Sequence, residues 1–136
     1  MDKSAYSTAP YLQYAYTRIM SLYRKAEEKY GRDITDLHRH IDAIALDNAW
    51  ERDLALRVIR YPEVLEEVIA AGLPNQLCQY TYELSAAYMS FYEQCPILRD
   101  DVPRPTMKSR LLLSYLTAKT LKSALALLGI QTTARM

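Results

Sequence analysis

The sequence predicts an all-α domain, a bundle of about five to six helices, and three observations carry that prediction. Glycine occurs only at positions 31, 72 and 129. Few stretches alternate apolar and polar residues in the way a half-buried strand does. Most long stretches instead repeat apolar residues every three or four positions, the spacing that lines one face of a helix. With 136 residues, 50% of them hydrophobic and 24% charged, residues 1–136 read as a single domain able to bury one core.

Residues 1–8 are a polar lead-in, with Ser7 or Thr8 as a helix cap and Pro10 in the first turn, where a missing N–H costs nothing. The first helix is centred on Ala9 to Ala26. At about 100° per residue, Leu12, Ala15, Ile19, Leu22, Tyr23 and Ala26 share an arc and should face the core. Tyr11, Tyr14, Arg18, Ser21 and Lys25 fall on the adjoining arc, so tyrosine and basic residues run along one side. Gly31 stands where a C-terminal glycine ends a helix.

Ile34, Leu37, Ile41, Ile44 and Ala45 fit a short helix, capped by Asp33 or Thr35 with Asp36 in its first turn. His38 and His40 are two apart and would point away from each other; a metal pair on a helix wants a spacing of four. They read as surface histidines. From Trp50, one side of a helix collects Leu54, Val58 and Tyr61, and Leu65, Val68 and Ile69 continue beyond Pro62. The proline must break the run, giving two helices that meet at Tyr61–Pro62, the second closed by Gly72. Glu63, Glu66 and Glu67 form a solvated face, with no apolar pocket to make catalytic carboxylates of them.

Leu73–Pro74–Asn75 turns into a helix over residues 76–94. Leu77, Tyr80, Leu84, Tyr88, Phe91 and Tyr92 share its core arc, and Tyr82 and Met89 lie at the edge, placed to reach a groove. Cys95–Pro96 stops this helix, and residues 99–105 form an exposed, proline-punctuated loop. The last helix, residues 106–128, carries Leu111, Leu112, Leu113, Leu116, Leu121, Leu125 and Leu127 on nearly all sides. Such a helix is buried centrally, or buried on one side and docked on another. Gly129 ends it, and residues 130–136 form a tail with Arg135.

Several chemistries are missing. The chain has no G-x-S-x-G, no glycine-rich phosphate loop and no H-E-x-x-H, so no catalytic residue, metal ligand or cofactor site is expected. Cys78 and Cys95 are too few for a disulfide framework and read as reduced thiols of a cytoplasmic protein. No apolar run approaches the ~18 residues of a membrane span, and the first residues lack the apolar region of a secretory signal. The net charge of +1 hides a division. Residues 1–30 sum to +2, residues 31–72 to −4 and residues 73–136 to +3. An anion-binding surface should therefore draw on the first and last helices.

What remains is recognition. Tyrosine occurs twelve times and phenylalanine once. Each buried tyrosine hydroxyl needs a partner, so the excess hints at surfaces that are both apolar and wet. Single-stranded RNA is held by stacking bases on aromatic rings with cations on the backbone. Tyr11, Tyr14, Arg18 and Lys25 supply that combination. The same tyrosines would also serve to pack helix against helix, and composition leaves both readings open.

The segment Thr8-Ala9-Pro10-Tyr11-Leu12-Gln13-Tyr14-Ala15-Tyr16-Thr17-Arg18, continued by Ser21-Leu22-Tyr23-Arg24-Lys25-Ala26, resembles the opening helix of the DALR anticodon-binding domain of arginyl-tRNA synthetases. Tyr80-Thr81-Tyr82-Glu83-Leu84, Phe91-Tyr92-Glu93-Gln94-Cys95-Pro96-Ile97-Leu98, Arg110-Leu111 and Leu116-Thr117-Ala118-Lys119-Thr120-Leu121-Lys122 match in the same order. The ending Leu128-Gly129-Ile130…Ala134-Arg135-Met136 is similar to the family's Leu-Gly-Ile…Glu-Arg-Met, with Ala134 replacing the usual glutamate. The matches thin out between residues 27 and 50. Met107-Lys108-Ser109-Arg110 shares three letters with the KMSKS loop of class I synthetases, a coincidence at the start of a helix, and H-I-G-H is absent.

The resemblance implies a helical bundle appended to a class I catalytic domain and gripping the anticodon loop of arginine tRNA. It places binding on Tyr11, Tyr14 and Arg18, on Met136 and its neighbours, and more loosely on Tyr82; on the leading reading, Arg18, Lys25 and Arg24 are expected to meet phosphates. Anticodons of arginine tRNAs share a middle C, and the Arg18 region and the terminus are where a test of that base is expected. ATP would be used by the catalytic domain and not by this chain, which should be silent as an enzyme alone. Arginine tRNA and that catalytic domain are the implied partners; neither DNA nor a membrane is. The alternative is a free-standing helical protein-interaction domain derived from such a module and not binding RNA.

Overall fold

The computed structural model describes residues 3–33, 36 and 44–129, and side chains from Pro10 onward. Among these residues the chain forms five α-helices and no strand: α1 Lys3–Tyr30, α2 Ala49–Ile59, α3 Tyr61–Ala71, α4 Pro74–Gln94 and α5 Arg104–Leu127. The predicted all-α bundle is the observed fold. Helix α4 packs against all four of the others, and α5 against α1, α2 and α4.

Helix α1 buries Leu12, Ala15, Ile19, Leu22 and Ala26, with half-buried Tyr23 packed against them, as its period requires. It ends at Gly31, whose φ of +90° suits a residue without a Cβ. Its start departs from expectation. The helix begins at Lys3, so Pro10 lies inside it rather than in its first turn. Proline there forgoes the bond to the Tyr6 carbonyl; Pro10 is exposed, and water can take the place of that bond.

Pro62 separates α2 from α3 as expected, and Gly72 closes α3 at φ +64°. The apolar arc carries through the break only in part: Leu65 and Val68 pack against the core. Val64 is buried, whereas Ile69 is 79% exposed. The glutamates 63, 66 and 67 are exposed.

The expected short helix after Gly31 is not present at Ile44 and Ala45, which have no regular secondary structure. Ile34, Leu37, Ile41, His38 and His40 lie outside the described residues. The backbone at Ala45 is instead fastened to α5: Ser109 Oγ accepts from its N–H at 2.8 Å and donates to its carbonyl at 3.1 Å. Asn48, in extended conformation, then caps α2 reciprocally with Glu51.

Four of the twelve tyrosines use their hydroxyls to join helices at or beside the core. Tyr23 donates to the Leu111 carbonyl (2.5 Å), Tyr80 to the Arg57 carbonyl (2.5 Å), Tyr61 pairs with Ser123 Oγ (2.7 Å) and Tyr88 with Ser114 Oγ (3.0 Å). Each bond joins two helices while its ring fills the core. Helix α5 buries five of its leucines, although Leu127 is 62% exposed at its end. Cys95 is buried and Cys78 half-buried, both as free thiols.

Candidate nucleic-acid interface

Residues 11, 14, 18 and 25 lie on the flank of α1 that turns toward α4. Tyr14 is 42% exposed, and Arg18, one turn on, donates from Nη2 to its hydroxyl at 2.6 Å. The guanidinium lies 5.1 Å from the Tyr14 ring centre and 5.0 Å from that of Tyr92. Arg18 is thus held between two rings, one from each helix. A guanidinium fixed in this way loses little freedom when it meets a phosphate or a base edge.

Tyr92 is the residue the sequence placed elsewhere. It belongs by period to the core arc of α4, yet it is half-buried and forms the second wall for Arg18. Its position at the margin of that arc was the available signal. Lys25 is exposed and shares with Leu22, Tyr92, Glu93, Pro96 and Ile97 a groove of about 350 Å³. The carboxylate of Glu93 tempers the lysine's field there.

Tyr11 and Tyr82, assigned separately from sequence, meet: their ring centres are 5.1 Å apart at 32°. Tyr82 is 39% exposed, leaving part of the ring for an incoming partner, while Tyr11 is half-buried. Burial first, then Tyr82 and Glu93, raise the Tyr11 phenol above its ordinary value, so it stays a neutral hydrogen-bonding group. Beyond Tyr82 a groove of about 340 Å³ reaches Trp50 and Arg57, an aromatic extension that the sequence pattern did not single out. Met136 lies outside the described residues.

Among the described residues no group of acidic, histidine and cysteine side chains could hold a metal ion, and no helix is long and apolar enough to cross a membrane. Met107 and Ser109 are buried in the first turns of α5, so Met107–Arg110 is helix and not a mobile loop.

These features define an all-α bundle with an aromatic and cationic face along its first helix. The chain belongs to the DALR anticodon binding domain family, whose model matches residues 12–136. It is 50% identical over 131 residues to an arginine–tRNA ligase of Pseudoalteromonas atlantica and 44% identical over 130 residues to one of Shewanella piezotolerans; each match covers 96% of this chain and 21% of the relative. The chain therefore spans about a fifth of the length of these relatives. A crystal structure of arginyl-tRNA synthetase from Plasmodium falciparum superposes with a TM-score of 0.76 at 28% identity, covering 93% of this chain and 21% of that one.

Proposed function

We propose that this chain is the anticodon-reading module of an arginine–tRNA ligase, working in the cytoplasm within a longer protein whose catalytic domain binds ATP and makes the bond. The observation that carries the reading is Arg18 held between Tyr14 and Tyr92, beside the Tyr11–Tyr82 pair, on an open flank of α1. Such a surface binds rather than reacts. Loop bases stack on Tyr14 and the Tyr11–Tyr82 pair, Arg18 and Lys25 meet phosphates, and Met136 with its neighbours checks the middle C. A stacked base is worth roughly 1–3 kcal/mol. Each phosphate contact on a single strand steepens the fall of affinity with salt by about 0.7 in logarithmic slope.

Tyr14→Ala should weaken binding to an arginine anticodon stem-loop more than tenfold, whereas Tyr14→Phe keeps the ring and most of the affinity. Fluorescence titration measures both. Equal binding by Tyr14→Ala and the unaltered protein would overturn the assignment of this face.

A protein contact is favoured by a separate observation. Leu56 is 57% and Ile59 69% exposed on α2, and both line an apolar groove of about 370 Å³ with Ile44, Leu46 and Leu116. Because the relatives are about five times as long as the match, we assign this groove to the catalytic domain. A free-standing interaction domain would use the same groove and lack the RNA affinity.

A further inference from the structure

The face described above uses one flank of α1. The other flank meets α5 and carries a second set of aromatic and basic side chains. Tyr16 and Met20, one turn apart on α1, line a groove of about 260 Å³ with Tyr115, Ala118, Lys119 and Lys122 of α5. Spacings of four and three put Tyr115, Lys119 and Lys122 on one side of α5. Both lysines are exposed, while Tyr16, Met20 and Tyr115 are half-buried and Ala118, the smallest of the set, is buried as a floor. The two walls are tied together by the Tyr23 hydroxyl on the Leu111 carbonyl.

The charge around this groove has one sign. Helix α5 contains Arg104, Lys108, Arg110, Lys119 and Lys122 and no acidic residue. Helix α1 has none before Glu27 and Glu28 in its last turn. Among the described residues neither Lys119 nor Lys122 has an ion-pair partner. Paired lysines above tyrosine rings and a methionine match a ligand with anionic groups on an apolar, planar frame. The two grooves share α1, about 10–12 Å across with its side chains, and the crest between them carries the uncharged Gln13 and Thr17. One strand can cross that crest without meeting an acidic group.

We propose that the α1–α5 groove is a second RNA-contact surface that holds the sugar–phosphate backbone of the same RNA. Lys119 and Lys122 meet phosphates, and Tyr16 and Tyr115 lie against sugar or base. This rests on the reading of the chain as an anticodon-loop binder. The groove grips and orients the RNA but carries no base discrimination, which stays with the Tyr14–Arg18 flank.

The test compares the protein with Lys119→Gln/Lys122→Gln and Lys119→Arg/Lys122→Arg, titrated across a range of KCl with an arginine anticodon stem-loop and with one whose middle C is replaced by U. Glutamine keeps helix propensity at these exposed positions, and circular dichroism verifies the fold. The glutamine variant should bind several-fold more weakly at low salt, with a logarithmic salt slope shallower by roughly 1.4–1.8 for two lost phosphate contacts. Its C-over-U preference should equal that of the unaltered protein, and the arginine variant should restore the slope. Unchanged affinity and slope in the glutamine variant, with the unaltered protein binding normally, would overturn this groove alone. Failure of the unaltered protein to bind any stem-loop would sink the anticodon reading, and the groove with it.

Discussion

One carboxylate, that of Glu51, holds three backbone and side-chain groups in place. Oε1 accepts from the N–H groups of Asp47 and Asn48, both at 3.1 Å, and Oε2 accepts from Arg110 Nε at 3.3 Å. Arg110 in turn donates to the Pro96 carbonyl at 2.6 Å. Glu51 is 1% exposed and its partner's side chain 13%, so removing one charge strands the other in a dry site. Glu51→Ala should lower the unfolding free energy by about 3–5 kcal/mol, and the double variant Glu51→Ala/Arg110→Met should lose less than the sum of its singles. Urea unfolding of the three variants measures this, and additive losses would contradict it. Sequence reading caught the helix near Trp50 but not this pair. The partner of Glu51, Arg110, stands 59 positions later, which no local pattern reveals.

Helices in this bundle are joined by tyrosine hydroxyls. Tyr23 links α1 to α5, Tyr80 links α4 to α2, and Tyr88 links α4 to α5. Burial, the largest cause in each case, raises all three phenols above their ordinary value. The folded chain therefore keeps protons that the unfolded chain releases above about pH 10. The stabilisation is present in full below that pH and is lost as pH rises toward the folded-state values. The urea midpoint should decline above about pH 10, and less steeply in Tyr23→Phe/Tyr88→Phe; equal slopes would contradict this. Helical period alone made the buried face of α1 legible, since Leu12 through Ala26 lie on one uninterrupted helix. It failed where a helix restarts, as with Val64 and Ile69 after Pro62, and where neighbours set the exposure, as with Tyr92. For the interface, the period supplied Tyr14, Arg18 and Lys25 on one side of α1. The Arg18–Tyr92 contact and the Tyr11–Tyr82 pair needed the packing of α1 on α4.

The molecule as a whole is nearly neutral, yet its charge is divided. The acidic residues of α3 stay exposed on a helix packed chiefly on α4 and α2, while α1 and α5, which pack together, carry the basic excess. The basic excess on α1 and α5 is what draws an anion to this molecule. Charge alone would bind any RNA, and the aromatic flank of α1 is what must add a preference. The direct test is titration of arginine and non-arginine anticodon stem-loops at two salt concentrations. Both RNAs should weaken as salt rises, and the preference for the arginine loop should persist at the higher salt. Equal affinity for the two loops at both concentrations would contradict base reading and leave only a generic basic surface.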